Sequence, residues 1–446
     1  MKFRFVLLDP DGDADRHAPP RENAAAGKCA TPPHAFQYQI RGTGMVRQQR
    51  LPDGRLRLIP VANFRASIVT DIILDDGAEQ RRHCGVEAEL DGQKVVFTVP
   101  AAEFGRMGWV LSRLGPRAIV YPGQMQHARA AIQELSGPIR QERIFAHLGW
   151  RQQDSDWVYL HGGGALGAAG AVAGTQVQLP SPLQDYQLRS PLDAQEVVRA
   201  VRASLQVLTS APDRIGFPLL AAVYRAALGG VNFGVFMSGR SGVFKTALAG
   251  LCQQHFGAAM EASRLPANFA STGNALELLA FCAKDALLVV DDFAPTGGAG
   301  DGELQRVAER LFRAVGNHQG RGRLGADGRL REPQAPRGLV LGTGEEVPPG
   351  QSIRARLLIV EVGPGQVRRE RLTECQRAGE EGRLAGAMAA FVKWVAGQYA
   401  ELQQSLRNRV LQIRGQGGGG WGTRAPQRHW RSCKADGKCS CSSPWK

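Results

Sequence analysis

One short stretch carries the residue types of a phosphate-binding loop. Residues 239–246 read GRSGVFKT, close to the pattern G-x-x-x-x-G-K-[ST]. In such a loop, backbone N–H groups and a helix N-terminus surround the phosphates, the lysine contacts the β- and γ-oxygens, and the hydroxyl binds Mg²⁺. Phe244 stands where the pattern has its last glycine. The predicted nucleotide-binding residues are Gly239, Arg240, Ser241, Gly242, Val243, Phe244, Lys245 and Thr246.

The lysine of this loop is unusual for the chain. Lys245 is the only lysine between Lys94 and Lys284, although basic residues, mostly arginine, are frequent throughout. A lysine at this position indicates a need for a compact ammonium group rather than a planar guanidinium. A surface lysine on an ordinary strand–loop–helix connection is the alternative.

A second stretch ends in two carboxylates. Residues 285–293 read DALLVVDDF, in which five apolar residues precede an acidic pair. Open α/β sheets bind ligands at the carboxyl ends of their strands, so this pair is expected at the same edge as the loop. Asp291 is predicted to hold Mg²⁺ with Thr246, and Asp292 to orient the attacking water. Alone, the acidic pair could cap a turn or a helix; with the loop, it predicts a site for ATP and Mg²⁺.

Two further sets of residues are catalytic candidates. Residues 338–346, GLVLGTGEE, form a predicted strand with a polar end, where Thr343 would contact the γ-phosphate or its water, and Glu345 is the less suitable choice. Residues 352–362, SIRARLLIVEV, form another predicted strand. Arg354 and Arg356 would share one of its faces, where either could act as an arginine finger towards a neighbouring subunit. A structural ion pair is the alternative.

Polar residues also cluster after the loop helix. The stretch LPANFASTGNALE places Thr272 or Asn274 as the N-cap of a helix. The alternative brings one of them near the γ-phosphate or near DNA.

These residues need an α/β scaffold. Strand 231–237 precedes the loop, and a helix follows it. The predicted fold is an α/β P-loop NTPase preceded by a β-rich α+β N-terminal domain, in which three Asp-Gly pairs (Asp53-Gly54, Asp76-Gly77 and Asp91-Gly92) indicate hairpins. The predicted divisions are a flexible leader (1–35), the N-terminal domain (36–189), the ATPase core (190–365), a C-terminal helical segment (366–412) and a tail (413–446).

The charge of the chain indicates a polyanionic partner. The net charge is +14, which favours nucleic acid, although an arginine-rich genome composition would give the same balance. A Gly/Arg segment over 320–337 is predicted to contact DNA phosphates through Arg321, Arg323, Arg329 and Arg331, with Arg337 at its end. A solvated basic hairpin is the alternative.

The remaining features concern location and the tail. No apolar run reaches transmembrane length, and the eight cysteines are scattered, which predicts a cytoplasmic protein with no membrane contact. The tail loses apolar periodicity abruptly. It is predicted either to be disordered or to be translated out of frame.

Together these motifs resemble the phage, plasmid and integrative-element ATPase family that carries the domain of unknown function 927. The resemblance extends over about 36–412 and depends on FAHLGW, DWVYLHGGG, SGRSGVFKT, LPANFASTGNALE, ALLVVDDFAP and LVLGTGEE. It implies a core similar to superfamily 3 helicases and AAA+ motors, DNA as a partner, and a homo-oligomer such as a hexameric ring.

Two function classes follow. The first is a DNA-dependent motor ATPase, a helicase or replication-associated enzyme of a mobile genetic element. The second is a nucleotide-gated DNA-binding or regulatory protein that does not unwind DNA.

Overall fold

The computed structural model describes residues 37–191, 193–295, 297–298, 300–324 and 330–416. The predicted leader (1–35) lies outside these residues. The predicted tail begins too early, because the last helix continues past residue 412 to Gln416; residues 417–446 lie outside the described part.

The N-terminal part contains two sheets and three helices. A three-stranded antiparallel sheet consists of β1 (Tyr38–Arg41), β2 (Gly44–Arg50) and β3 (Leu56–Ala62). A five-stranded sheet in the order β12-β7-β4-β5-β6 consists of β4 (Arg65–Asp75), β5 (Gln80–Leu90), β6 (Gln93–Pro100), β7 (Arg140–Phe145) and β12 (Gln176–Val177). The helices are α1 (Ala101–Phe104), α2 (Trp109–Leu114) and α3 (Met125–Glu134).

All three predicted Asp-Gly hairpins are confirmed. Antiparallel pairs join β2 to β3, β4 to β5, and β5 to β6. Asp91 and Gly92 both have positive φ, 51° and 79°, the conformation that a tight two-residue hairpin turn requires.

A four-stranded antiparallel sheet follows, in the order β11-β10-β9-β8. Its strands are β8 (Gly149–Gln153), β9 (Asp156–His161), β10 (Gly164–Gly167) and β11 (Gly170–Ala171), and a short helix α4 (Ser181–Gln184) follows β12. Trp150 and Tyr159 of this sheet belong to one hydrophobic core with Val289 of the later α/β part. This core extends across the predicted domain boundary near residue 190. That boundary stays a prediction.

A five-stranded parallel sheet organises the rest of the chain. Its strands are β13 (Gly234–Ser238), β14 (Ala267–Asn268), β15 (Leu287–Phe293), β18 (Leu339–Gly344) and β19 (Leu357–Glu361). A separate two-stranded ribbon consists of β16 (Arg323–Leu324) and β17 (Leu330–Arg331). The sheet order is β14-β15-β18-β13-β19. Every neighbouring pair is parallel, which confirms the predicted α/β class.

Helices connect these strands and extend the core. They are α5 (Ala194–Gln206), α6 (Asp213–Ala227), α7 (Lys245–Gln254), α8 (Gly273–Cys282), α9 (Asp301–Asn317), α10 (Gln351–Arg354), α11 (Arg369–Glu380), α12 (Arg383–Ala396) and α13 (Tyr399–Gln416), with a 3-10 turn at Val207–Ser210. No helix in the described part of the chain is long and apolar enough to span a membrane.

The predicted strand over 352–362 is wrong in its first part. Arg354 is the last residue of α10, and Arg356 precedes the first strand residue, Leu357. Arg354 and Arg356 therefore do not share a strand face.

Candidate functional site

The loop between β13 and α7 contains two residues with a left-handed backbone. Gly242 has φ of 81°, and Phe244, the residue before α7, has φ of 67° and ψ of 26°. The left-handed conformation at position 244 explains why the pattern has glycine there. Phenylalanine in that conformation costs on the order of 1–2 kcal/mol. At the start of the loop, a Cβ on Gly239 would overlap the carbonyl oxygen of Val362.

Lys245 lies folded over this loop. Its ammonium group donates hydrogen bonds to the carbonyl oxygens of Gly239, at 2.7 Å, and Arg240, at 2.9 Å. The ammonium and the N-terminus of α7 are therefore close together. This combination favours binding of an anion such as a phosphate group.

One carboxylate oxygen joins three elements. Thr246 of α7 donates a 3.2 Å hydrogen bond to Oδ1 of Asp291 on β15. The hydroxyl of Thr343 on β18 donates to the same oxygen, and Thr343 is fully buried. The predicted magnesium ligands, Thr246 and Asp291, are thus within hydrogen-bonding distance of each other.

A bulge separates the roles of the two aspartates. The pairing of β15 with β18 shifts register between Val290 and Phe293. Asp292 has φ of 63°, and its backbone N–H donates a 3.2 Å hydrogen bond to Thr343 Oγ1. Bulges of this kind redirect side chains next to active sites. Here the bulge leaves Asp292 exposed at the wall of a cavity, while Asp291 is half-buried.

An open cavity of about 370 Å³ adjoins these groups. This volume is within the range of small-molecule sites. The residues that line it are Ser241, Gly242, Phe244, Lys245, Thr246, Ala247, Ala262, Asp292, Thr343, Gly344 and Glu345. Seven of the residues predicted for nucleotide binding or catalysis therefore lie around one cavity, together with Glu345.

The oxygen groups beside the cavity fit magnesium. Mg²⁺ is usually held by one or two carboxylates, together with waters and substrate phosphates. Thr246 and Asp291 supply a hydroxyl and a carboxylate. Within the described ranges, no group of three or more His, Cys, Asp or Glu side chains is placed to hold a metal ion, so a site completed by phosphate oxygens is the arrangement that these residues allow.

Other predicted residues lie away from the cavity. Val243 is buried beneath the loop, and Arg240 is exposed. The carbonyl of Arg356 accepts a 2.9 Å hydrogen bond from the N–H of Gly234, the first residue of β13. Arg354 and Arg356 therefore lie near the amino-terminal end of β13, whereas the loop follows its carboxyl end. The guanidinium of Arg356 donates hydrogen bonds to Asn317 Oδ1, at 2.8 Å, and to the carbonyl oxygen of Ser352, at 2.6 Å.

The predicted capping role of Thr272 is confirmed. Its side chain accepts a 3.3 Å hydrogen bond from the N–H of Ala275 at the start of α8. Asn274 accepts from Arg310 of α9 at 3.0 Å, and Glu277 pairs with the same arginine. In this structure both side chains stabilise the contact between α8 and α9.

The Gly/Arg segment forms the ribbon β16–β17, in which Arg323 and Arg331 are paired. Arg321 is exposed before the ribbon, and Leu330 is 76% exposed. Arg329 lies outside the described residues, as do the side chains of Arg323 and Arg331.

Arg337 is an exception to the prediction for this segment. Its guanidinium lies 3.6 Å from the centre of the Phe281 ring, and donates 2.8 Å hydrogen bonds to the carbonyls of Phe281 and Asp76. Burial lowers its pKa. Arg337 therefore joins the β4–β5 hairpin to α8, and is not available to DNA.

We expect Arg337→Ala to lower the free energy of unfolding by about 1–3 kcal/mol, because two carbonyls lose a charged donor. Urea unfolding would measure this effect. Arg321→Ala is the matched control, since exposed substitutions usually stay within about 0.5 kcal/mol. Equal stability of the two variants would contradict the assigned contact.

One residue near the loop was not predicted from the sequence. The guanidinium carbon of Arg369, the first residue of α11, lies 5.1 Å from the centre of the Phe244 ring. No local pattern connects these two residues, because they are far apart in the chain.

The chain is similar in structure to two helicases. One is described as "SCCmec type IV Cch - active helicase", with 13% identity and a TM-score of 0.46 over 82% of this chain and 66% of that one. The other is JCV helicase, crystallised with a small molecule, with 14% identity and a TM-score of 0.29 over 49% of this chain and 62% of that one. The chain thus spans just under two thirds of each helicase.

No protein-family model and no curated protein matches the sequence. The resemblance to the family with domain of unknown function 927 stays a prediction.

Proposed function

We propose that this chain is a magnesium-dependent P-loop ATPase. The observation that carries the proposal is the junction at Asp291, where Thr246 from the loop helix and Thr343 from β18 both donate to one carboxylate oxygen. A phosphate loop, a hydroxyl and a carboxylate in this arrangement bind a nucleotide with its metal.

Each residue has a definite part in this proposal. The loop N–H groups and Lys245 bind the β- and γ-phosphates. When the nucleotide binds, the Lys245 ammonium gives up its hydrogen bonds to the two loop carbonyls and donates to phosphate oxygens instead. Thr246 and Asp291 would hold Mg²⁺, which neutralises phosphate charge when bound. Asp292, at the cavity wall, orients the attacking water. Thr343 contacts the γ-phosphate or that water, and Glu345 is the second candidate for this role.

The order of the sheet supports an AAA+ or superfamily 3 type of core. Strand β18 lies between β13, which precedes the loop, and β15, which carries the aspartates. Thr343, the second-to-last residue of β18, is the polar group expected near the end of the strand beside the acidic one.

Nucleic acid is the proposed partner. We propose that the protein acts in the cytoplasm as a DNA-dependent motor of a mobile genetic element. The ribbon β16–β17, in which Leu330 is 76% exposed, precedes β18, the strand that carries Thr343. Arg354 is exposed near the amino-terminal end of β13, away from the loop. From this position an arginine finger would reach a neighbouring subunit in a homo-oligomeric ring. Arg356 is the other candidate.

An ATPase assay with and without single-stranded DNA, run beside a strand-displacement assay, tests this proposal. A motor hydrolyses ATP faster when DNA is added, and displaces a strand. The alternative is a nucleotide-gated DNA-binding or regulatory protein, which the strained Phe244 in the loop favours. Slow hydrolysis that DNA leaves unchanged would support that alternative.

We expect Arg321→Ala combined with Arg323→Ala to weaken single-stranded DNA binding and to reduce its salt dependence. Each lost phosphate contact lowers the slope of log affinity against log salt by about 0.7 for single strands. Fluorescence anisotropy at several salt concentrations measures both quantities. Arg371→Ala, on an exposed arginine paired with Glu374, is the control. An unchanged slope in the double variant would mean that the ribbon does not bind DNA.

A further inference from the structure

The loop phenylalanine and an arginine of the C-terminal helices form a contact at the cavity. Phe244 lines the cavity and Arg369 does not, but the exposed Arg369 guanidinium lies over the Phe244 ring, 5.1 Å from its centre. This distance is within the range of a cation–π interaction. A glycine, which the loop pattern has at position 244, could not make this contact.

The conformation of Phe244 indicates that its ring has a role. The backbone at this residue is left-handed, with φ of 67°, where glycine is favoured over any residue with a side chain. A glycine would relieve that strain. The side chain is half-buried and contacts the main hydrophobic core, so the contacts of the ring offset the backbone cost.

Arg369 is held in place by its own helix. The N–H of Arg368 donates a 2.8 Å hydrogen bond to the carbonyl of Ser210, which fixes the start of α11. At the other end of α11, a Cβ on Gly379 would overlap the side chain of Gln254, the last residue of α7. Helices α7 and α11 therefore run side by side in the same direction, and both begin at the loop.

The guanidinium of Arg369 has no ion-pair partner among the residues that the structure describes. Arg371, on the same helix, pairs with Glu374, whereas no ion pair joins Arg369 to a carboxylate within the described ranges. Among the described residues that line the cavity, Lys245 is the only cationic one, while Asp292 and Glu345 are acidic. A triphosphate with its Mg²⁺ still carries net negative charge, so a second cationic side chain beside Lys245 would favour its binding.

We propose that Arg369 is a further phosphate-binding residue of the nucleotide site, and that Phe244 is its positioning residue. The inference rests on the proposed nucleotide-binding function. Arg369 provides a guanidinium with several donors, which suits phosphate oxygens. The Phe244 ring keeps this group beside the loop, so the C-terminal helices take part in binding the phosphates.

The test compares affinities for ATP and for inorganic tripolyphosphate by calorimetry. We expect Arg369→Gln to weaken both by about tenfold to hundredfold, the effect of losing a charged hydrogen bond. Because tripolyphosphate has no base or ribose, a loss with this ligand assigns the contact to phosphate. Phe244→Leu, which keeps an apolar side chain but lacks the ring, should weaken both ligands, and Phe244→Tyr should retain wild-type affinity.

A double-mutant cycle distinguishes positioning from a separate effect of Phe244. If Phe244 acts through Arg369, the variant with both Phe244→Leu and Arg369→Gln binds no more weakly than Arg369→Gln alone. Arg371→Gln is the control on the same helix and should bind normally. Thermal unfolding of each variant identifies any general loss of structure, and the exposed Arg369 can be replaced without disturbing the core.

Unchanged tripolyphosphate affinity in Arg369→Gln would overturn the proposal. Additive effects of the two substitutions would overturn the positioning role of Phe244. Lys245→Ala separates these outcomes from failure of the nucleotide site itself. If Lys245→Ala abolishes binding and Arg369→Gln does not change it, only the inference about Arg369 fails.

Discussion

We expect Lys245→Ala to bind ATP at least about 100-fold more weakly than the wild-type chain. The ammonium of Lys245 lies over the loop, 2.7 Å and 2.9 Å from two loop carbonyl oxygens. Its removal takes away a charge-assisted contact to two phosphates, and charged groups of this kind contribute about 10²-fold or more in nucleotide and oxyanion sites. Isothermal titration calorimetry with a slowly hydrolysed ATP analogue measures the affinity.

Two controls make this result specific. Lys245→Arg keeps the charge but replaces a compact ammonium with a planar group, so it should recover little binding. Lys94→Ala removes an exposed lysine that pairs with Glu87 on the N-terminal sheet, and should bind normally. If Lys245→Ala retained normal ATP affinity, the loop would not be a phosphate-binding loop.

The second large effect concerns turnover. Asp291→Asn and Asp292→Asn should each lower ATP hydrolysis by about 100-fold or more while ATP still binds, because both groups act where charge develops in the transition state. The two variants should differ in their response to magnesium. Asp291→Asn should need more Mg²⁺ for half-maximal activity, since Asp291 is the proposed metal ligand beside Thr246. Asp292→Asn should show an unchanged magnesium requirement.

The control for this pair is Glu346→Gln. Glu346 is an exposed carboxylate next to Glu345 and does not line the cavity. The substitution removes the same charge from the same edge of the sheet, and hydrolysis should stay near the wild-type rate. Full activity in Asp292→Asn would move the water-orienting role to another residue, with Glu345 as the next candidate.

The sequence predicted those elements whose signals are local. Asp91-Gly92 specifies its own turn through two positive φ values, and the run before Asp291 is apolar because β15 is buried between two neighbouring strands. The short helix α10 was not predicted. Ile353, Ala355 and Leu357 alternate with polar residues, which is typical of a strand. The buried Ile353 instead comes from a four-residue helix that follows Gly350, whose φ is 107°.

The site was predictable in composition but not in geometry. The loop and the acidic strand could be recognised from spacing and residue types. The bulge that gives Asp291 and Asp292 different directions depends on the pairing of β15 with β18. This pairing cannot be predicted from the local sequence. The contact between Phe244 and Arg369 depends on the tertiary packing of α11 beside α7. Arg337 belongs to an arginine-rich segment that the sequence predicts to contact DNA, but its guanidinium is bound by the carbonyls of Phe281 and Asp76.

The order of the parallel sheet also affects how the chain folds as it is made. Strand β13, which leads into the phosphate loop, has β18 and β19 on its two sides. Strand β18 begins about 100 residues after β13 ends. At about 5–20 residues per second, the ribosome needs about 5–20 s to supply that partner. The β4–β5–β6 sheet, in contrast, is joined by local hairpins and can form while synthesis continues. Strand β13 and the loop therefore acquire their final structure late in folding, and the apolar strand needs protection from aggregation until then.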